Sequence, residues 1–198
     1  MSDRLTRERG RVDWSGAAPQ MGRRDDGKDR TGAELQDSQL ATPDGRPVGK
    51  LIDGVRVREA RTIPDHRGSV CVMYDPRWGF TEEPLVYTYL VTLRPGAVKG
   101  WVRHSTYDDR LFLIEGAVRW VLYDERADSP TAGLLNELFF DDHNRALLRV
   151  PRDVWHAVEN IGTADAVMVN HPTSPYEYES PDKSRLPLDT SRIPYSFD

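Results

Sequence analysis

From Leu51 onward the chain is cut into short runs rich in Val, Tyr, Leu and Thr, each closed by Gly, Pro or Asp, and no long amphipathic helical stretch interrupts them. Runs of β-branched and aromatic residues between turn formers are strand signals. They predict strands at 54–60, 67–74, 84–93, 97–103, 110–115, 117–123, 133–140, 146–150, 154–160 and 164–170. Many short strands with turns between them make a sandwich or a barrel, so the expected class is all-β. Period-2 alternation is clearest in Val118-Arg119-Trp120-Val121-Leu122-Tyr123. Val118, Trp120 and Leu122 share one face there, and Arg119, Val121 and Tyr123 share a semi-polar opposite face. Tight corners are expected at Arg94-Pro95-Gly96 and Glu115-Gly116.

Residues 1–47 have a different texture, dominated by Arg, Asp, Gly, Gln and Ser with apolar side chains scattered singly. Such a segment buries too little surface to offset its ordering entropy, so a flexible tail with Trp14 as its one anchor precedes a domain over 48–198. The formal net charge is −5, with 30% charged residues. Non-specific attraction to phosphate backbones or anionic lipid is not expected, which argues against nucleic-acid and membrane partners. The single cysteine, Cys71, cannot pair within the chain and reads as a small buried hydrophobe. With no leader-like start and no apolar stretch of membrane-spanning length, the expected location is cytoplasmic.

Two of the five histidines fall where a β-barrel would use them. His104 ends a strand, and His156 lies in Pro151-Arg152-Asp153-Val154-Trp155-His156-Ala157-Val158-Glu159-Asn160, a stretch that resembles the second cupin motif. A metal-binding cupin supplies three histidines and a Glu. Here the expected ligand positions are Thr106 and Arg110, so no metal and no other cofactor is expected. His104, beside a polar Ser-Thr-Tyr-Asp-Asp loop, suits a general base, because imidazole accepts a proton near neutrality. His156 suits equally a buried, hydrogen-bonded barrel residue.

The run Asp109-Arg110-Leu111-Phe112-Leu113-Ile114-Glu115-Gly116 followed by Asp124-Glu125-Arg126-Ala127-Asp128-Ser129-Pro130-Thr131-Ala132-Gly133 resembles the strand pair of the dTDP-4-dehydrorhamnose 3,5-epimerase family, with its D-x-R-x-x-S-P-T-x-G ending. Pro64-Asp65-His66-Arg67-Gly68 and Leu188-Asp189-Thr190-Ser191-Arg192-Ile193-Pro194-Tyr195 are similar to that family's early and C-terminal elements. The resemblance spans about residues 50–198 and implies a cupin, or jelly-roll, barrel in a homodimer that acts beside the carbonyl of a dTDP-4-keto-6-deoxyhexose or a similar ketone. It implies a base at His104, a carboxylate partner at Asp189 and a cation for the enolate at Arg110. It further implies a substrate surface drawn from Arg67, Lys99, Trp101, Arg103, Tyr107, His156 and Tyr176. The family's acid Tyr falls at Val169, so inversion is expected at one carbon at most unless Tyr107 or Tyr176 takes that place. A non-catalytic metabolite-binding cupin, or a lyase or cyclase of secondary metabolism, would use the same barrel.

Overall fold

The computed structural model describes residues 49–197 together with Pro43, so the expected tail and Trp14 lie outside the described residues. All ten expected strands are present: β1 (Arg56–Glu59), β3 (Gly68–Cys71), β4 (Tyr89–Leu93), β5 (Val98–Arg103), β6 (Asp109–Glu115), β7 (Val118–Tyr123), β8 (Leu135–Phe140), β9 (Ala146–Val150), β10 (Trp155–Asn160) and β11 (Ala166–Asn170). Two more, β2 (Thr62–Asp65) and β12 (Ser184–Arg185), complete the set, and a single 3₁₀ turn spans Pro76–Trp78. Exposure of all four β2 residues explains why no apolar pattern announced it.

Two five-stranded antiparallel sheets, ordered β1-β9-β6-β11-β4 and β12-β5-β10-β7-β8, face each other as a jelly roll. Their inner faces meet in a core that includes Leu111 and Leu113 of β6, Trp120 and Leu122 of β7, Leu148 of β9 and Met168 of β11. The alternation expected in β7 holds, since Val118, Trp120 and Leu122 point into this core. Its opposite face is not solvated. Val121 packs with Trp101, Trp155 and Ala157 under Leu186, Ile193, Tyr195 and Phe197, so the segment after β12 roofs the second sheet. Arg119 on that same face pairs with Glu159 and lies 3.6 Å from Glu137, which also accepts a 2.6 Å bond from the Tyr195 hydroxyl. The outer face of the first sheet is roofed in turn by Phe80, Tyr74 and Trp78 over Phe112 and Leu147. Cys71 is only partly buried at the edge of that roof.

The Asp-x-Arg-x-x-Ser-Pro-Thr-x-Gly string is a self-contained staple. Asp124 has no exposed surface and accepts bonds from Arg126 Nε at 2.8 Å, Ser129 Oγ at 2.5 Å and Thr131 Oγ1 at 2.6 Å. Gly133, at φ +81°, returns its N–H to the Asp124 carbonyl, a left-handed conformation that glycine adopts without strain. Arg126 and Thr131 also grip the Asp53 backbone, tying the chain's entry into the barrel to this loop. Burial opposes ionisation of Asp124, yet the bonds from Arg126, Ser129 and Thr131 win and hold its pKa at about 2. A depressed carboxyl pKa stabilises the fold above the unfolded value, and the gain, on the order of 2–3 kcal/mol here, is lost as pH falls through the folded value. Acid unfolding should therefore steepen between about pH 4 and pH 2 in the wild type. Asp124→Asn should be less stable at neutral pH and lose that part of the acid dependence, as urea melts across this range would record.

Candidate active site

Sheet alternation decides which side chains reach the interior. Between the open ends of the two sheets lies a cavity of about 470 Å³ whose polar lining includes Lys99, His104, Asp109, His156, Asn170 and Lys183. An adjoining vestibule of about 310 Å³ is walled by Tyr87, Tyr89, Tyr107, Tyr176 and Tyr178, and Tyr89 and Lys183 border both spaces.

At the cavity floor, Asp109 Oδ2 stands 3.5 Å from His104 Nε2 and 3.3 Å from His156 Nε2, and all three residues are more than nine-tenths buried. Asp109 Oδ1 accepts a 2.7 Å bond from Asn170 Nδ2, which also donates to the Tyr89 hydroxyl at 2.8 Å. Burial pushes the Asp109 carboxyl up, but the facing His156 and His104 imidazoles and the Asn170 amide outweigh it and hold the group below its usual range. The His104 ring is neutral by preference: burial lowers its pKa more than Asp109 raises it. A carbonyl only accepts, so His104 Nδ1 must be the donor to the Asp182 carbonyl, and His156 Nδ1 the donor to the Val154 carbonyl at 3.2 Å. The neutral His104 ring thus carries its proton on Nδ1 and turns its Nε2 lone pair toward the cavity.

The loop after β5 is fixed by one carboxylate. Asp182 accepts from the backbone N–H and the hydroxyl of both Ser105 and Thr106, which holds its pKa far below the usual range although burial opposes the shift. Thr106, the vacant metal-ligand position of the motif, serves this clamp. Tyr107 stacks on His104 with ring centroids 4.3 Å apart and its hydroxyl 3.5 Å from Nε2. Lys183 follows Asp182 directly and reaches the cavity; partial burial and the nearby Arg185 lower its pKa, while Asp109 works the other way.

The structure brings His104, His156, Lys99, Tyr107 and Tyr176 to the cavity or its vestibule, and five expected residues fall elsewhere. Asp189 is exposed in the turn Pro187–Thr190 and makes no bond to His104; the nearby carboxylate is Asp109. Arg110 points to the opposite face from Asp109, because neighbours in a strand alternate. There it is fully buried, its guanidinium donating to the His171, Glu83, Pro84 and Pro172 carbonyls and to Thr81 Oγ1. Trp101 likewise faces outward under Tyr195 and Phe197, where truncating a buried Trp costs about 3–5 kcal/mol, so its role is packing. Arg103 lies over the Trp155 ring at 4.8 Å and 3.9 Å from Glu125 on that same outer face. Arg67 sits exposed at the β2–β3 turn and pairs with Asp65. Val169 also points away from the cavity, which its neighbours Met168 and Asn170 line, so its lack of an acidic proton leaves the site unaffected.

No protein-family model matches the chain. It is 34% identical over 139 residues to a probable low-salt glycan biosynthesis epimerase, Agl13, of Haloferax volcanii, a match that covers 70% of this chain and 89% of that protein. The fold is similar to the crystal structure of a dTDP sugar isomerase from Desulfovibrio desulfuricans, with a TM-score of 0.69 at 30% identity over 73% of this chain and 91% of that one. It is also similar to ChmJ, a 3'-monoepimerase of Streptomyces bikiniensis, with a TM-score of 0.65 over 74% and 76% of the two chains; at 21% identity that likeness speaks for the fold alone.

Since Arg110 supports a roof and does not touch the cavity, Arg110→Ala should act on stability. It strands several buried carbonyls, each costing about 1–3 kcal/mol. The melting temperature should drop by well over ten degrees, while any protein that remains folded keeps its turnover per active site, as active-site titration beside calorimetry would show.

Proposed function

This chain belongs to the dTDP-4-dehydrorhamnose 3,5-epimerase family and is an isomerase of that type, and from that premise we propose that it removes and returns a proton beside the ketone of a dTDP-4-keto-6-deoxyhexose or a closely similar nucleotide-linked sugar. The observation that carries this reading is the His104 ring, fixed through Nδ1 by the Asp182 carbonyl with Nε2 open to the cavity beside Asp109. His104 takes the proton on Nε2, and the imidazolium so formed is stabilised by the carboxylate 3.5 Å away. The enolate oxygen needs a cation. Lys183 supplies it in place of Arg110, which is committed to carbonyls on the far side of β6.

The returning proton comes from Tyr89 on the opposite wall, because β4 and β5 belong to facing sheets, whereas Tyr107 stacks on the base. Burial and Asp109 push the Tyr89 hydroxyl up to about 12, so it is protonated and able to donate. A single acid of this kind fits inversion at one carbon. The tyrosines of the vestibule give the nucleotide base apolar faces to stack on, with Lys99 and Arg185 at the cavity rim for the diphosphate. In D₂O a dTDP-4-keto-6-deoxyhexose should gain deuterium next to its carbonyl, and His104→Ala should slow that exchange by about 10²-fold or more. Tyr89→Phe should keep the exchange and lose inversion. Exchange that survives His104→Ala at the wild-type rate removes the base assignment.

The same reading carries a cytoplasmic homodimer. Among the described residues no helix is long and apolar enough to cross a membrane. Among the described residues the β2–β3 hairpin pairs only with itself and exposes Ile63 at 67% and Val70 at 65%, and β4 leaves Leu90 exposed on a sheet edge. An isolated hairpin and an open edge are both stabilised by a second copy. Sedimentation should give twice the 22.6 kDa chain mass at micromolar concentration, and Ile63→Asp with Val70→Asp should return it to a single chain.

A further inference from the structure

One ring nitrogen each of His104 and His156 and a carboxylate oxygen of Asp109 lie within 4.8 Å of one another, so Asp109 supplies a ligand where positions 106 and 110 offer none. Three features of this cluster exceed what a histidine pair on a carboxylate needs. First, the Nε2–Oδ2 separations of 3.5 and 3.3 Å are longer than the usual 2.7–3.2 Å of an N–H···O bond. They match the edge of a tetrahedron whose centre lies about 2.0–2.2 Å from each atom, the bond lengths of zinc to imidazole and carboxylate. Secondly, both Nδ1 atoms donate to backbone carbonyls, the arrangement that presents a neutral Nε2 lone pair to a metal and fixes the ring around it. Thirdly, the carboxylate is oriented by Asn170 through its other oxygen, so Oδ2 alone faces the two rings. When both rings are unprotonated at Nε2, their two lone pairs and the Asp109 oxygen supply three ligand atoms to one cation, which would compensate the buried carboxylate in the imidazoles' place. All three residues line the cavity, from which a fourth ligand could come.

We propose that His104, Asp109 and His156 form a site for a divalent transition metal of the zinc class, and that the bound ion silences the enzyme by occupying the His104 lone pair. The second half rests on His104 being the base; the first does not. Reversible inhibition follows, because an ion held by only three side chains at a cavity floor is open to exchange with solvent and with chelators. The ion and the substrate exclude each other, since each needs the same Nε2 lone pair.

The test uses the full-length chain freed of metal by chelation, with Co²⁺ and Zn²⁺ as the probes. One equivalent of Co²⁺ should produce the visible absorption of a four-coordinate ion, and Zn²⁺ should displace it. Losing an inner ligand costs more than the roughly 10–100-fold that losing a supporting residue does, so His156→Ala and the nearly isosteric Asp109→Asn should both abolish the spectrum. Melting curves on each variant separate loss of the site from loss of the fold, and Asp109→Asn decides if His156→Ala does not fold. Stoichiometric Zn²⁺ should suppress deuterium exchange into the keto-sugar by at least about tenfold, and EDTA should restore it fully. No cobalt spectrum, or one unchanged in Asp109→Asn, overturns the site. Binding at the triad that leaves exchange unchanged or speeds it overturns the inhibitory role while His104→Ala still judges the base. If the metal-free chain shows no exchange, the base reading fails, and the cobalt spectrum alone judges the site.

Discussion

Everything in the candidate site depends on β6 being buried on both faces. Its neighbours Asp109 and Arg110 carry opposite charges, and strand geometry sends them to opposite sides of the same sheet, so they never neutralise each other. Each buried charge must be compensated separately. The barrel interior does so for Asp109 with two imidazoles and the Asn170 amide. The outer roof does so for Arg110 with a ring of carbonyls and hydroxyls. Asn170 bridges the two solutions, since its carbonyl oxygen accepts the Arg110 backbone N–H while its amide serves Asp109 and Tyr89. Position in the strand thus separates a residue that meets the cavity from one that holds the wall.

This also explains what the amino-acid order reveals. The ten apolar runs were legible because burial and turn chemistry are local properties, and the barrel follows from their number and spacing. His104 and His156 were legible because they end or begin recognisable strands. The choice between Asp109 and Arg110 was not. Both faces of β6 are apolar along Leu111, Phe112, Leu113 and Ile114, so period 2 is invisible there, and only the roof formed by residues 74–84 reveals which face is inside. Trp101 and Arg103 misled for a similar reason: the C-terminal segment that covers them has no periodicity of its own. Lys183 and Asp182 lie in a Pro- and Ser-rich stretch, and their importance comes from contacts some eighty residues away in the chain.

The most specific string in the sequence turned out to hold the scaffold together. Asp124, Arg126, Ser129, Thr131 and Gly133 form a closed hydrogen-bonded loop outside the cavity, and the resemblance they carry is one of architecture. Family membership rests on about 70% of the chain, whereas the polar lining of the cavity comes from a few side chains around His104. Divergence is correspondingly uneven. The staple keeps its spacing, while the cation at the cavity is Lys183 of the C-terminal segment and not Arg110 of β6.

The placement of Asp182 and Lys183 on the segment after the last long strand has a consequence for biosynthesis. On a ribosome the chain emerges from its N-terminal end, and domains begin to fold as they appear. Every strand of the two facing sheets except β12 is synthesised before Asp182, and His104 lacks the carbonyl that sets its tautomer until then. The strands that wall the cavity are therefore made before the residue that orients the His104 ring. A chain cut short before residue 182 would lack the carbonyl that orients His104, the Lys183 and Arg185 side chains at the cavity and the roof over Trp101 and Trp155.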